Sequence, residues 1–232
     1  MRVMCGRYGL NKPRQLRTRY NLNEDFDLEE NYNVAPSQIM PVIVNEQGKN
    51  ILREMKWGLV PHWSKTPTVK FSTINARAEN VPISSTYREP FKKHRCLIPA
   101  DYFYEWKKTE DSKIPYLIRV KSEEIFSFAG LFDIWRDVEG KEFPSYTIIT
   151  TKPNKIMEGI HNRMPVILPK DEEKIWLDPE ANPTELENFL IPYPDKDMEA
   201  FTVSSNVNSP RNNSAELIKR FDYESQQTIN SL

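Results

Sequence analysis

The residue with the most distinctive chemistry is Cys5, which follows Met4 and precedes Gly6. If translation begins at Met4, removal of that methionine leaves Cys5 as the first residue. A terminal cysteine is a 1,2-aminothiol, with an α-amine of pKa ~7.7–8 beside a thiol of ~8.5, so both nucleophiles are accessible near neutrality. The amine condenses with an aldehyde to an imine. The thiolate then closes on the imine carbon to form a five-membered thiazolidine. An internal cysteine cannot do this, because its nitrogen is an amide. The alternative for Cys5 is a buried structural thiol.

Three further side chains have types suited to such chemistry. In Tyr102–Trp106, strand alternation puts Tyr102, Tyr104 and Trp106 on one face and Phe103 with Glu105 on the other. A carboxylate on an apolar face is costly unless paired or protonated, and a raised pKa suits it to proton transfer. The alternative is an exposed edge-strand Glu. His161 is a candidate acid/base, or a structural hydrogen-bonding residue. Asn75, beside Arg77, either orients an amine or carbonyl or bonds its own backbone at a turn.

Other chemistries are disfavoured. The chain has 7 Gly in 232 residues, none spaced as a dinucleotide-binding turn or phosphate loop. His62, His94 and His161, with Cys5 and Cys96, form no CxxC, HxH or HExxH spacing, so neither a metal nor a cofactor is expected. Cys96 reads as a buried free thiol. No run approaches the roughly 18 apolar residues of a membrane helix, and the N-terminus is too polar for a secretory signal. The expectation is a cytoplasmic protein with no membrane partner. Net charge is −1, from 32 Lys and Arg against 33 Asp and Glu. Yet residues 1–120 hold 20 basic against 13 acidic side chains, and residues 121–232 hold 12 against 20. A basic face for an anionic polymer fits this asymmetry, as does chance distribution over solvated surface.

The elements that must position these residues are short. Strand-like runs are Met40–Val44, Met55–Val60, Cys96–Ile98, Tyr102–Trp106, Tyr116–Val120, Ile125–Ile134, Tyr146–Thr151 and Pro165–Leu168. Helical patterns are Pro13–Tyr20, Thr86–Lys93, Asn154–Ile160, Asp171–Trp176, Pro183–Leu190 and Ser214–Arg220, with start signals at Asn182-Pro183 and Asn213-Ser214. Strands dominate the middle. The expected fold is α+β: one domain over residues 1–232, built on a strongly curved, mostly antiparallel, barrel-like sheet with peripheral helices.

Six separated segments are Met4-Cys5-Gly6-Arg7-Tyr8, Tyr32–Pro36, Trp57–Pro61, Ile74–Glu79, Phe103–Trp106 and Ile160–Pro165. Together with Val203-Ser204, Asn208–Pro210 and Ala215–Leu217, they closely resemble the SOS-response-associated peptidase (SRAP) family, in order and over nearly the whole chain. The resemblance implies a protein that binds single-stranded DNA and traps the ring-opened aldehyde of an abasic site as a thiazolidine crosslink on Cys5. This shields the lesion. It further implies that Glu105 shuttles protons during ring opening and imine formation, and that His161 acts as acid/base at the sugar, including in crosslink reversal. Asn75 would hold the cysteine amine or the lesion. Arg7, Arg77 and Arg163 would clamp phosphates, and Pro36 and Trp63 would lie flat against exposed bases. Trp57, Trp106, Trp135 and Trp176 are expected in the core. The chain would act as a monomer, nucleoid-associated when engaged on DNA.

One departure is the Met1-Arg2-Val3 that precedes Met4. Arg2 is too large for efficient trimming after Met1. Either Met4 is the start, or residues 1–4 are removed autocatalytically, in keeping with the peptidase activity in the family name, or the chain cannot crosslink. The active form is expected to lack residues 1–4. Two rivals remain: a cysteine peptidase acting in trans through Cys5, His161 and Glu105, and a non-catalytic module that coats single strands.

Overall fold

The computed structural model describes residues 6–68 and 73–223. Its strands, in chain order, are β1 (Tyr8–Leu10), β2 (Asn31–Val34), β3 (Ile39–Glu46), β4 (Lys49–Trp57), β5 (Asn75–Arg77), β6 (Arg95–Ala100), β7 (Tyr102–Lys108), β8 (Lys113–Val120), β9 (Phe126–Arg136), β10 (Glu142–Thr151), β11 (Met164–Pro165), β12 (Ile167–Leu168) and β13 (Met198–Thr202). Between them lie the short helices α1 (Leu16–Tyr20), α2 (Arg88–Lys93), α3 (Lys155–Glu158), α4 (Lys170–Leu177) and α5 (Pro183–Leu186).

Strands β3, β4, β10, β9 and β6 pair in a ring, so the sheet closes on itself as a barrel. Within this ring every pairing is antiparallel except β4 with β10. Closure removes sheet edges and explains why β6 is buried along its whole length. β4 is exposed at Lys49, Arg53, Glu54 and Lys56, so the barrel meets solvent along that strand. Beyond the barrel wall, β10 continues with β5 on one flank and β11 on the other. The α+β, barrel-based expectation is therefore met, with helices at the periphery.

The second sheet runs β13-β8-β7-β1-β2. The β1–β7 crossing is close: a Cβ on Gly9 would fall 2.1 Å from the Tyr102 ring, so only glycine fits. Tyr8 spans to the barrel, its hydroxyl hydrogen-bonding that of Tyr146 at 2.9 Å, with Trp57 and Phe128 against its ring. Buried Arg95 satisfies orphan carbonyls at two helix ends. It donates to Phe91 and Lys92 at the end of α2, and to Trp176 and Asp178 at the end of α4. Cys96 is fully buried, as expected, and burial pushes its thiol pKa well up.

Four strands carried no readable pattern. β1 and β5 have three residues each, while β2 and β13 mix half-buried polar positions with apolar ones. The start signals also divide. Asn182 caps α5 by accepting from Thr184 N–H at 3.0 Å. At the other, Ser214 makes no side-chain cap, and Asn213 instead reaches back to accept from Tyr32 N–H at 2.7 Å.

Candidate active site

Strand β7 sorts its side chains as alternation requires. Phe103 enters the main core, while Tyr102 and Tyr104 pack in a second cluster with Leu117, Val203 and Val207. β7 is interior to its sheet, between β1 and β8, and Glu105 is 3% exposed. The exposed edge-strand alternative for Glu105 is thus excluded. Trp106 departs from expectation. It is only partly buried and forms a cavity wall, donating Nε1–H to Asn208 Oδ1 at 2.7 Å. Trp57, Trp135 and Trp176 are buried as expected.

His161 arrives from a different part of the fold. Asn154 caps α3 by accepting from Met157 N–H at 3.0 Å. The helix then ends in a tight turn, with Ile160 and His161 N–H both donating to Met157 O, at 2.9 and 2.7 Å. That turn delivers His161 to a cavity of about 450 Å³ that Glu105 also lines. Inside the turn, Arg163 N–H donates to His161 Nδ1 at 3.3 Å. A buried carboxylate and an imidazole sharing one cavity can give and take protons at a bound carbonyl or sugar.

The cavity also has a cationic wall that motif reading missed. Lys108 on β7 lies directly opposite Lys113 on β8, and both line the cavity. Neither forms an ion pair among the described residues. Like charges directly opposite across strands repel, and an anion at the mouth would relieve that. The available signal was basic Lys107-Lys108 and Lys113 flanking the polar stretch Thr109–Ser112. Their opposition depends on hairpin register.

Cys5 lies outside the described residues. Gly6, its covalent neighbour, is described, and Tyr104 N–H donates to Arg7 O at 2.9 Å, extending the β1–β7 pairing beyond Tyr8 opposite Phe103.

The remaining candidates occupy three settings. Arg7 is partly buried. Its Nη1 donates to Asn33 Oδ1 and to Val207 O, both at 2.8 Å, and its guanidinium sits 5.8 Å from the Trp106 ring centre. Asn75 and Arg77 stand on β5, where Asn75 Nδ2 is buried without a hydrogen-bond partner among the described residues and Arg77 is exposed. Arg163 is bound to Glu79, at 2.5 and 2.9 Å, and to Thr150 O. Pro36 lines a separate cavity of about 250 Å³ that reaches Ile74, next to Asn75. Trp63 is 58% exposed on a loop that buried Asp133 holds, by accepting from His62 N–H at 2.8 Å and pairing with His62 Nδ1 at 2.9 Å. Trp135 Nε1–H adds a bond to Ser64 O at 2.6 Å. Among the described residues no three His, Cys, Asp or Glu side chains converge as metal ligands, and no helix is long and apolar enough to cross a membrane.

The chain matches known proteins in sequence and in fold. The family model described as SOS response associated peptidase (SRAP) matches residues 4–210. The abasic site processing protein YoqW of Bacillus subtilis is 46% identical over 222 residues, covering 93% of this chain and 99% of that protein. The abasic site processing protein HMCES of Xenopus tropicalis is 34% identical, over 80% of this chain and 64% of its own length. A crystal structure of a protein from Bacteroides thetaiotaomicron superposes with a TM-score of 0.87 at 31% identity, covering 94% of this chain and all of that one. Since sequence motifs, barrel and family model coincide along the same stretch, the chain belongs to the SOS response associated peptidase (SRAP) family.

Proposed function

We propose that this protein processes abasic sites in DNA, and that it does so by covalent capture. It binds the single strand around the lesion and joins the ring-opened sugar to Cys5. The amine of Cys5 attacks the aldehyde carbon and water leaves, giving an imine. The Cys5 sulfur then adds to the imine carbon while its proton passes to nitrogen, closing the thiazolidine. The net change is loss of one water. Proton transfer is needed at ring opening, at water departure and at ring closure. Glu105 and His161 are the groups assigned to it, and Asn75 Nδ2, a buried donor without a partner among the described residues, is assigned to hold the lesion or the amine.

The observation that carries this reading is the convergence of Glu105 and His161 on one cavity beside the N-terminal strand, which Lys108 and Lys113 also line. Relatives named for abasic site processing support the choice of substrate. Arg7 and Arg77 supply positive charge, and Pro36 and Trp63 offer flat surfaces for unpaired bases. The chemistry requires a free amine on Cys5, so the active form lacks residues 1–4. It functions as a monomer in the cytoplasm.

The test is incubation with an oligonucleotide carrying one abasic site, comparing the protein with Cys5→Ser. Serine keeps the amine but cannot close the stable ring. The expected result is a detergent-stable adduct with the parent protein alone. Intact mass should show Cys5 as the first residue, and an adduct bonded to a lysine would refute the mechanism. A trans-acting peptidase would instead turn over peptides.

A further inference from the structure

We propose that Glu79 is a positioning residue for His161, holding its turn through Arg163 so that the neutral imidazole carries its proton on Nε2. The inference rests on the abasic-site reading only for its functional consequence. The positioning itself follows from hydrogen bonds.

Arg163 N–H donates to His161 Nδ1 at 3.3 Å. A nitrogen that accepts an N–H must present its lone pair, so in the neutral ring the proton resides on Nε2. Nδ1 faces its own turn, leaving Nε2 as the ring nitrogen available to the cavity that His161 lines. The donor is placed by the Arg163 side chain. Its Nη1 and Nη2 grip both Glu79 oxygens, at 2.5 and 2.9 Å, and Nη2 also donates to Thr150 O at 2.5 Å. The Arg163 side chain is 13% exposed, so this two-pronged contact is well shielded on the arginine side. Glu79 sits in the turn following β5, and Thr150 lies on β10 opposite both Arg77 and Pro165. The clamp thus ties the His161 turn to two strands whose own positions the barrel fixes.

The clamp leaves Arg163 one Nη1–H and its Nε–H, the latter buried without a partner among the described residues, so Glu79 and Thr150 take up three of its five donors. The charged groups sharing the cavity with His161 are Glu105, Glu158, Lys108 and Lys113.

The test uses ¹⁵N chemical shifts of the imidazole nitrogens in the full chain, at a pH where the rings are neutral. His62, His94 and His161 are the only histidines, so His161→Gln assigns the spectrum. The parent is expected to show the Nε2–H tautomer at His161, and Glu79→Gln a mixture. Single-turnover crosslinking should slow roughly tenfold in Glu79→Gln, the scale expected for a slightly misplaced proton donor. Affinity for an undamaged single strand should not change. Arg163→Lys, which keeps the charge but cannot make the two-pronged contact, should slow crosslinking likewise. An Nδ1–H tautomer in the parent, or an unchanged tautomer in Glu79→Gln, would overturn the proposal. So would tighter strand binding by Glu79→Gln, since Glu79 would then be masking a phosphate site. If no variant or parent crosslinks abasic DNA, the functional reading fails, and the tautomer measurement still decides the positioning.

Discussion

Replacing Lys108 and Lys113 together by Ala should move DNA affinity and stability in opposite directions. The two lysines stand opposite each other in the register of β7 and β8 and both line the cavity, without an ion-pair partner among the described residues. In the free protein their removal relieves cross-strand repulsion, worth about 0.2–1 kcal/mol. For a chain of this size that is an increase of up to roughly 4 °C in Tm. On single-stranded DNA each phosphate contact releases condensed counterion, contributing about 0.7 to the slope of log K against log salt. Losing two contacts lowers the slope by about 1.4. Between 50 and 200 mM salt that makes the deficit of the double variant about sevenfold larger at the low-salt end. The assay is fluorescence anisotropy with an undamaged oligonucleotide, which cannot be trapped covalently, over a salt series. Calorimetry of the free protein accompanies it. An unchanged salt slope would show that these lysines never meet phosphate. A lower Tm would show that their opposition is not a strain in the free protein.

Other perturbations test the frame around the site. Asp133→Ala should destabilise by about 2–3 kcal/mol, because buried donors lose their acceptor. It should also weaken strand binding by freeing the loop that carries Trp63; denaturant melts and anisotropy read the two effects. Burial lifts the Asp101 carboxyl to about 7, despite N–H donation from Asn11 and Lys12. Its folded pKa lies above the unfolded value of ~3.9, so the folded state holds the proton more tightly. The stability contributed by Asp101 is then full below pH ~4 and is lost as pH rises toward 7. Asp101→Asn should flatten Tm against pH in that window. Gly9→Ala should cost roughly 1–3 kcal/mol, since its methyl would overlap the Tyr102 ring, and urea titration measures it.

Much of the barrel was legible because its strands are long and apolar. Met40–Val44 and Cys96–Ile98 fall within barrel strands, and Ile125–Ile134 lies in β9 from Phe126 onward. β5 was not legible, since three residues with one buried position carry no period, yet it places Asn75 and Arg77. The alternation in β7 correctly separated Glu105 from Tyr102 and Tyr104. It could not say whether Glu105 met solvent or a cavity, because that depends on which strands flank β7. Trp106 was misjudged for the same reason. Arg163 is bound by Glu79, a residue far away in sequence, and no local pattern shows that contact.

Local covalent facts were settled by the order of residues alone: Cys5 bears its sulfur two bonds from its own α-carbon, β7 alternates, and the motif order identifies the family. The tertiary structure decided the meeting of Glu105 with His161, the opposition of Lys108 and Lys113, and the commitment of Arg163 to Glu79. Each of these needs a strand register or a turn placement, and those are set by burying the whole barrel at once. No local pattern encodes a contact whose geometry depends on segments that close only when the rest of the core has formed.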